Sequence, residues 1–305
     1  LGCDKNLVDT EKMLRLIRDM GISFTDDQGE ADIILINTCC FIGDAKEESV
    51  NTILEMAEEK KEGRCRALIV TGCLAQRYKE EILEEIPEVD AILGTTSWEE
   101  IGTVIRGICG GQESHVSCFH DLKELPASEG RIVTTGGYYA FLKIAEGCDK
   151  RCTYCIIPYL RGPYRSVPME DLLAEARELA RGGVRELILV AQETTLYGVD
   201  LYGEKSLPRL LKELAKIPEI RWIRIQYCYP EEITDELIAV IKEEEKVCHY
   251  LDIPIQHASD RILRRMGRRT TRREITERIR RLREEIPDIA LRTTLISGFP
   301  GETEE

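Results

Sequence analysis

The 305-residue sequence has no run of eighteen apolar residues and does not open on a basic segment followed by an apolar one. It is therefore expected to carry neither a membrane span nor an export signal, and to work in the cytoplasm. Positive charge is also scarce. Lys and Arg number 42 against 56 Asp and Glu, a formal charge of −14, which argues against a broad nucleic-acid surface and suits a basic partner better. No internal repeat or low-complexity tract is present. An initiating Met is lacking as well, and the chain stops at Glu305 just after a strand-like stretch, so a piece of a longer protein is expected.

What is present fits a globular protein, with 43% hydrophobic and 32% charged residues, and the length exceeds what one core usually supports. One local stretch departs from the acidic balance. From Arg261 to Arg283 there are eleven Arg, against Glu274 and Glu277 as the only acids. Helical periodicity makes this an ion-paired, solvated face, with a docking surface as the rival reading.

Apolar runs alternate with amphipathic stretches, the pattern of parallel sheets covered by helices. In the first hundred residues Asp9 or Thr10 is expected to cap a helix that stops at Gly21, and a charged helix runs from about Asp44 to Lys61. Strands are expected at Ile33–Ile36, Ala67–Val70 and Val89–Leu93. The pattern lapses between about Gly110 and Gly136. A second series places strands at Tyr139–Ile144, Glu186–Ala191, Trp222–Gln226, Tyr250–Ile255 and Ala290–Ile296. The expected fold class is α/β: an open parallel-sheet domain over residues 1–118, a linker over 119–135, and a βα (partial TIM-type) barrel over 136–305, cut short at its carboxyl end.

Twelve Cys in such a chain point to metal or redox chemistry rather than disulfides. Cys148, Cys152 and Cys155 follow the first strand of the second domain, where barrel enzymes carry their chemistry. Gaps of three and two residues let one short loop wrap three thiolates around a cubane, and no Cys or His follows within seventy residues to close the fourth position. A zinc knuckle completed from afar is the rival reading, although structural zinc sites generally bring two close pairs of ligands.

Cys3, Cys39 and Cys73 are each expected where a strand gives way to a loop, and the carboxyl ends of parallel strands form a ligand crevice. Three thiols converging there would hold a second cluster; cysteines merely packed beneath the strand ends are the alternative. Adjacent extended residues face opposite ways, so only one of Cys39 and Cys40 can face the crevice, and Cys39 is chosen. Cys40, Cys65, Cys109, Cys118, Cys228 and Cys248 read as ordinary thiols.

The cluster loop resembles the signature of the radical S-adenosylmethionine (SAM) superfamily. Combined with Gly2-Cys3, Asn37-Thr38-Cys39, Thr71-Gly72-Cys73 and Gly298-Phe299-Pro300-Gly301-Glu302, the chain resembles the methylthiotransferases within it. The branch that modifies an aspartate of ribosomal protein S12 is closer, through Arg161-Gly162-Pro163-Tyr164-Arg165-Ser166 and Ala191-Gln192-Glu193-Thr194. A tRNA N6-isopentenyladenosine-type methylthiotransferase is the runner-up, and a non-catalytic Fe–S or zinc module a distant third.

The resemblance implies two [4Fe-4S] clusters and SAM as cofactors. The Cys148/Cys152/Cys155 cluster would cleave SAM to a 5′-deoxyadenosyl radical, and the Cys3/Cys39/Cys73 cluster would carry the donated sulfur. It implies S12 as substrate, an electron donor such as flavodoxin or ferredoxin, and a TRAM-type carboxyl-terminal domain absent from this chain; the sulfur donor stays open. Expected SAM contacts are Gln192, Glu193, Gln256, His257, Gly298, Gly301 and Tyr154. Arg161 and Arg165 are candidates for binding an acidic substrate side chain, with paired surface arginines as the alternative.

Overall fold

The computed structural model describes residues 1–111, 115–127 and 130–304. The chain divides into two compact units, one of Leu1–Ile132 with Tyr159–Gly162, the other of Val133–Pro158 with Pro163–Glu305. Residues 119–127 and 130–132, expected as linker, thus belong to the first unit, as does a four-residue piece from beyond the cluster loop.

The first unit is built on four parallel strands in sheet order β1-β2-β3-β4: β1 (Ile33–Thr38), β2 (Ala67–Gly72), β3 (Ala91–Leu93) and β4 (Val116–Cys118). Every residue of β2 is buried, which is why its sequence reads as a continuous apolar run rather than an alternating one. The helices are α1 (Asp4–Asp19), α2 (Gly43–Glu62), α3 (Cys73–Tyr78), α4 (Glu80–Glu85) and α5 (Ile101–Cys109). Met13 and Ile17 of α1 pack with Ile69, Leu93, Trp98 and Ile101 in one core.

Helix α1 begins five residues before Asp9. Its N-cap is Cys3, which makes no side-chain cap bond. The two residues read as caps have other uses: Thr10 Oγ1 donates back to the Asn6 carbonyl at 2.9 Å, inside the helix, and Asp9 is buried in an ion pair. A cap inferred from residue type fails here because Thr10 bonds back within the helix while accepting from Asn37 Nδ2 at 2.9 Å, and Arg161 takes Asp9.

The second unit carries five parallel strands in sheet order β11-β10-β9-β8-β5, a partial barrel in which each strand neighbours the next along the sequence. After β5 (Tyr139–Lys143), the pair β6 (Ala145–Glu146) and β7 (Arg165–Ser166) runs antiparallel, joining the two ends of segment 147–164. Helix α6 (Ile157–Arg161) lies within that segment. Then follow α7 (Met169–Arg181), β8 (Glu186–Val190), α8 (Val199–Tyr202), α9 (Leu207–Ala215), β9 (Trp222–Ile225), α10 (Asp235–Glu243), β10 (Val247–Asp252), α11 (Asp260–Arg265), α12 (Arg272–Glu285) and β11 (Ala290–Arg292).

Strand β10 starts three residues ahead of the expected Tyr250, and β11 stops at Arg292, with Leu295 returning only through a single bridge to Gln256. Leu142, Leu187, Leu189, Ile223, Ile225 and Leu251 point into the core beside Leu210, Leu214 and Ile241. Each such side chain taken from water contributes about 1.5–3 kcal/mol. No helix among the described residues is long and apolar enough to cross a membrane.

Candidate iron–sulfur centres

In the first unit the sheet register itself brings cysteines together. Thr38 pairs with Gly72 at the ends of β1 and β2, so Cys39 and Cys73 leave the sheet side by side. Cys3, at the head of α1, joins them because Asn6 Nδ2 donates to the Thr38 carbonyl at 2.9 Å while Asn37 Nδ2 donates to the Asn6 carbonyl at 2.9 Å. This exchange between Asn6 and Asn37 fastens the helix start to the strand end.

Two glycines make the approach possible. Gly2, at φ +92°, has no room for a Cβ, which would stand 2.8 Å from the Cys39 Cβ and 3.3 Å from its sulfur. Gly72, also at φ +92°, would drive a Cβ to within 2.5 Å of the Thr38 carbonyl oxygen.

Cys39 and Cys40 point differently. The Cys40 thiol donates to the Cys73 carbonyl at 3.3 Å, whereas the sulfur of Cys39 lies against Gly2. Cys73 is buried and pushed up to about 11 by desolvation, against the pull of the Arg161 guanidinium, with Cys3 and Cys39 adding like-charge repulsion. Arg161 is itself 2% exposed; Nη1 donates to Asp9 Oδ2 at 2.8 Å and Nη2 to Asn6 Oδ1. It is therefore committed to the interior of the first unit rather than presented to a substrate.

In the second unit the loop after β6 carries Cys148, Cys152 and Cys155. Cys148 and Cys152 are buried and Cys155 is half-buried. Burial pushes the Cys148 thiol up to about 12, with the nearby Glu193 carboxylate and the other two loop thiols adding to it. The loop is shaped by backbone bonds: Lys150 N–H donates to the Cys148 sulfur at 3.5 Å, Cys155 N–H to the Cys152 carbonyl at 3.0 Å, and Thr153 N–H to the Met266 carbonyl at 3.0 Å. Lys150 Nζ is held by Glu231 at 3.4 Å and by Glu232.

Beside the loop, Tyr229 Oη stands 3.8 Å from the Cys152 sulfur and its ring carries the Arg268 guanidinium 4.1 Å from the centroid. Arg268 is 6% exposed and donates from Nη2 to the Pro254 carbonyl at 3.0 Å, while Nε and Nη1 have no hydrogen-bond partner among the described residues. Tyr154 is raised above its ordinary value by burial and by Cys152, and lies within the field of the same arginine.

The strand ends around this loop hold further unfilled acceptors. Glu193, fully buried, accepts at Oε1 from the Thr195 N–H at 2.9 Å and from its hydroxyl, and leaves Oε2 without a partner. Desolvation raises it to about 8. Gln192 donates to Glu146 Oε1 at 2.8 Å and leaves its own oxygen unbonded, as does Gln256, a residue at φ +69°.

His257 is already engaged on both sides: Nδ1 accepts from Ser259 N–H at 2.9 Å, which leaves Nε2 to donate to Glu302 Oε1 at 3.2 Å. Glu302 Oε2 in turn accepts from Phe299 N–H at 3.0 Å, closing the turn whose glycines, Gly298 and Gly301, adopt φ +74° and +88°.

Comparison with known proteins places the chain in a family. The Radical SAM superfamily profile matches residues 142–305, and that of Uncharacterized protein family UPF0004 matches residues 1–94. The ribosomal protein uS12 methylthiotransferase RimO of Lachnoclostridium phytofermentans is 69% identical over 306 residues, covering 100% of this chain and 69% of that protein. The chain belongs to the uS12 methylthiotransferase family of radical SAM proteins.

The enzyme of the same name from Geobacter sulfurreducens is 55% identical, with 100% of this chain and 68% of that protein covered. Among solved structures, the radical SAM methyltransferase TsrM from Kitasatospora setae superposes with a TM-score of 0.67 at 13% identity, over 99% of this chain and 66% of that one. The cobalamin-dependent radical SAM enzyme OxsB gives 0.61 at 14% identity, over 94% and 43%. At such identity these two speak to the fold alone.

Members of this family take SAM and two [4Fe-4S] clusters as cofactors. The donor sets fit them. Each triad offers three soft thiols within one another's electrostatic reach, two of them buried in each, with Cys3 exposed and Cys155 half-buried. No group of three or more His, Cys, Asp or Glu among the described residues stands at the spacing of a single-ion site. A cubane, bound by one thiolate per corner iron, takes its ligands further apart than one ion does.

Sequence reasoning missed Arg268, read as one of a solvated run, and Glu302, which had no partner visible in sequence. It also missed the buried placement of Arg161. Only Glu302 carried a usable signal, as the last residue of the glycine-turn motif.

Proposed function

We propose that this chain is the catalytic portion of an enzyme that adds a methylthio group to the β-carbon of an aspartate of ribosomal protein S12. The 69% identity to a uS12 methylthiotransferase across the whole chain carries the reading. With SAM bound, the radical-type cluster supplies one-electron cleavage of the sulfonium, and the auxiliary cluster carries sulfur.

The chain's own residues divide the work. Cys148, Cys152 and Cys155 would hold one cluster on the loop after β6, and Cys3, Cys39 and Cys73 would hold the other. Arg268 offers its two unpartnered N–H groups to the carboxylate of SAM. Glu193 Oε2 and Gln192 Oε1 accept from its ammonium, and Gln256 Oε1 from its ribose. His257, with both ring nitrogens engaged, acts by fixing Glu302 and thereby the Gly298–Gly301 turn, where the backbone approaches the cofactor. Tyr154 shields the cluster face. Electrons come from an external one-electron carrier of the flavodoxin or ferredoxin kind.

The test is mass spectrometry of S12 and of tRNA nucleosides from a strain lacking the gene. Loss of the methylthio group from S12 with tRNA unchanged is expected. S12 unchanged, or the loss appearing in tRNA, rejects the reading.

A further inference from the structure

The arginine-rich stretch does not behave as one face. Its second half is largely paired: Arg281 and Arg278 reach Asp235 at 3.0 and 3.7 Å, and Arg280 pairs with Glu284 one turn on, which leaves Arg283 alone of the four without a carboxylate partner among the described residues. The first half is not. Arg261, Arg264, Arg265, Arg269, Arg272 and Arg273 are exposed, and among the described residues none has a carboxylate partner.

The acids nearest in sequence, Asp260, Glu274 and Glu277, form no ion pair with these arginines, although Arg273 acts on Glu274 through space. Asp260 accepts from the Arg272 N–H at 2.6 Å, and Glu274 accepts from the N–H and hydroxyl of Thr271, both at 2.7 Å, in the capping box of α12. Six exposed arginines, none in an ion pair, thus stand within thirteen residues of a chain whose net charge is −14, and Asp260, Glu274 and Glu277 beside them offset only part of their charge.

This patch is built onto the back of the radical cluster loop. Thr153, the residue after Cys152, donates its N–H to the Met266 carbonyl and its hydroxyl to the Arg265 carbonyl, each at 3.0 Å. Gly267, the residue after Met266, runs so close that a Cβ there would touch the Cys152 Cα at 3.7 Å. Within the same short segment Arg268 turns inward to the loop while its neighbours turn out to solvent.

We propose that these six arginines form the docking face for a small acidic protein that carries single electrons, and that it reduces the cluster of Cys148, Cys152 and Cys155 from this side. The inference rests on the proposed function only for the presence of that cluster. In the step itself one electron passes: the carrier is oxidised by one and the cluster reduced by one, with no atom transferred. A cationic patch on an otherwise acidic protein steers an acidic partner to one place and repels it elsewhere. A long polyanion such as RNA would meet the surrounding negative field, so a carrier protein fits better.

The test uses the full-length, anaerobically reconstituted enzyme and reduced flavodoxin as the acidic carrier, with cluster reduction followed by stopped-flow absorbance. The wild-type rate is expected to fall steeply with added salt. The triple variant Arg264→Glu, Arg269→Glu and Arg273→Glu is expected to slow it on the order of tenfold or more. Reduction by dithionite should be unchanged. If the reversal prevents reconstitution, Arg→Gln at the same three positions gives the same readout with a smaller effect.

A wild-type rate indifferent to salt, or a variant rate within about twofold of wild type, overturns the docking face. So does a variant that keeps its carrier rate but loses affinity for ribosomal RNA. A wild-type chain with no dithionite-reducible cluster at Cys148, Cys152 and Cys155 overturns the cluster assignment and the docking face together. Either result is separable from the identity of the modified substrate, which the S12 measurement reads.

Discussion

Arg161 Nη1 donates to Asp9 Oδ2 at 2.8 Å, and the two side chains are 2% and 4% exposed. The bond joins residues 152 positions apart and places a guanidinium beside Cys73. A buried pair of this kind is costly to break from one side, because the surviving charge stays in the interior. Arg161→Met should therefore destabilise the chain by roughly 3–5 kcal/mol. Adding Asp9→Leu should return part of that loss, a coupling that urea denaturation of the four proteins in a double-mutant cycle measures.

Iron content separates the two centres. The reconstituted protein should hold about eight iron in two cubanes. Alanine at Cys3, Cys39 or Cys73 should remove about half, as should alanine at Cys148, Cys152 or Cys155. Cys40→Ala should leave the count intact, since that thiol faces the Cys73 carbonyl. Equal iron loss from Cys40→Ala and Cys39→Ala would reassign the ligand.

Glu193 supplies a pH dependence. Its folded value, about 8, lies above the unfolded carboxylate range, so between the two the folded chain binds the extra proton. Its contribution is full below the unfolded value and is lost as pH rises through about 8. Urea midpoints of the cluster-free protein should fall over that window, and Glu193→Gln should flatten the fall. A slope unchanged in the variant would place its origin elsewhere.

Arg268 should matter to cofactor binding more than to folding. Losing charge-assisted hydrogen bonds to a carboxylate costs about 1.5–3 kcal/mol, so Arg268→Met should weaken SAM binding by roughly 10- to 100-fold. Equilibrium binding to the reconstituted protein reads this directly. Unaltered affinity with normal iron would remove Arg268 from the SAM site.

The parts legible in the sequence were those whose logic is local. Cys148, Cys152 and Cys155 announce themselves by spacing on one loop, and the buried β2 by four consecutive apolar residues. The nearness of Cys39 and Cys73 was readable because both follow strand ends that the register of Thr38 with Gly72 sets side by side. Cys3, by contrast, follows no strand and is brought in at the head of a helix by the exchange between Asn6 and Asn37.

What escaped depended on distant partners. The burial of Arg161 is set by Asp9 and Asn6, far off in sequence. The start of α1 was misplaced because Cys3 caps without a side-chain bond. The arginine stretch divides in two partly because Asp235 from α10, distant in sequence, reaches Arg278 and Arg281.

The central claim is that two cysteine triads on one chain insert a methylthio group into S12. The most direct measurement is the intact mass of S12 from a deletion strain complemented with the full-length gene carrying the wild-type sequence, Cys148→Ala or Cys73→Ala. The account predicts S12 heavier by one methylthio group with the wild type and unmodified S12 with either variant. Modified S12 in a variant strain, or unmodified S12 in the wild-type one, would contradict it.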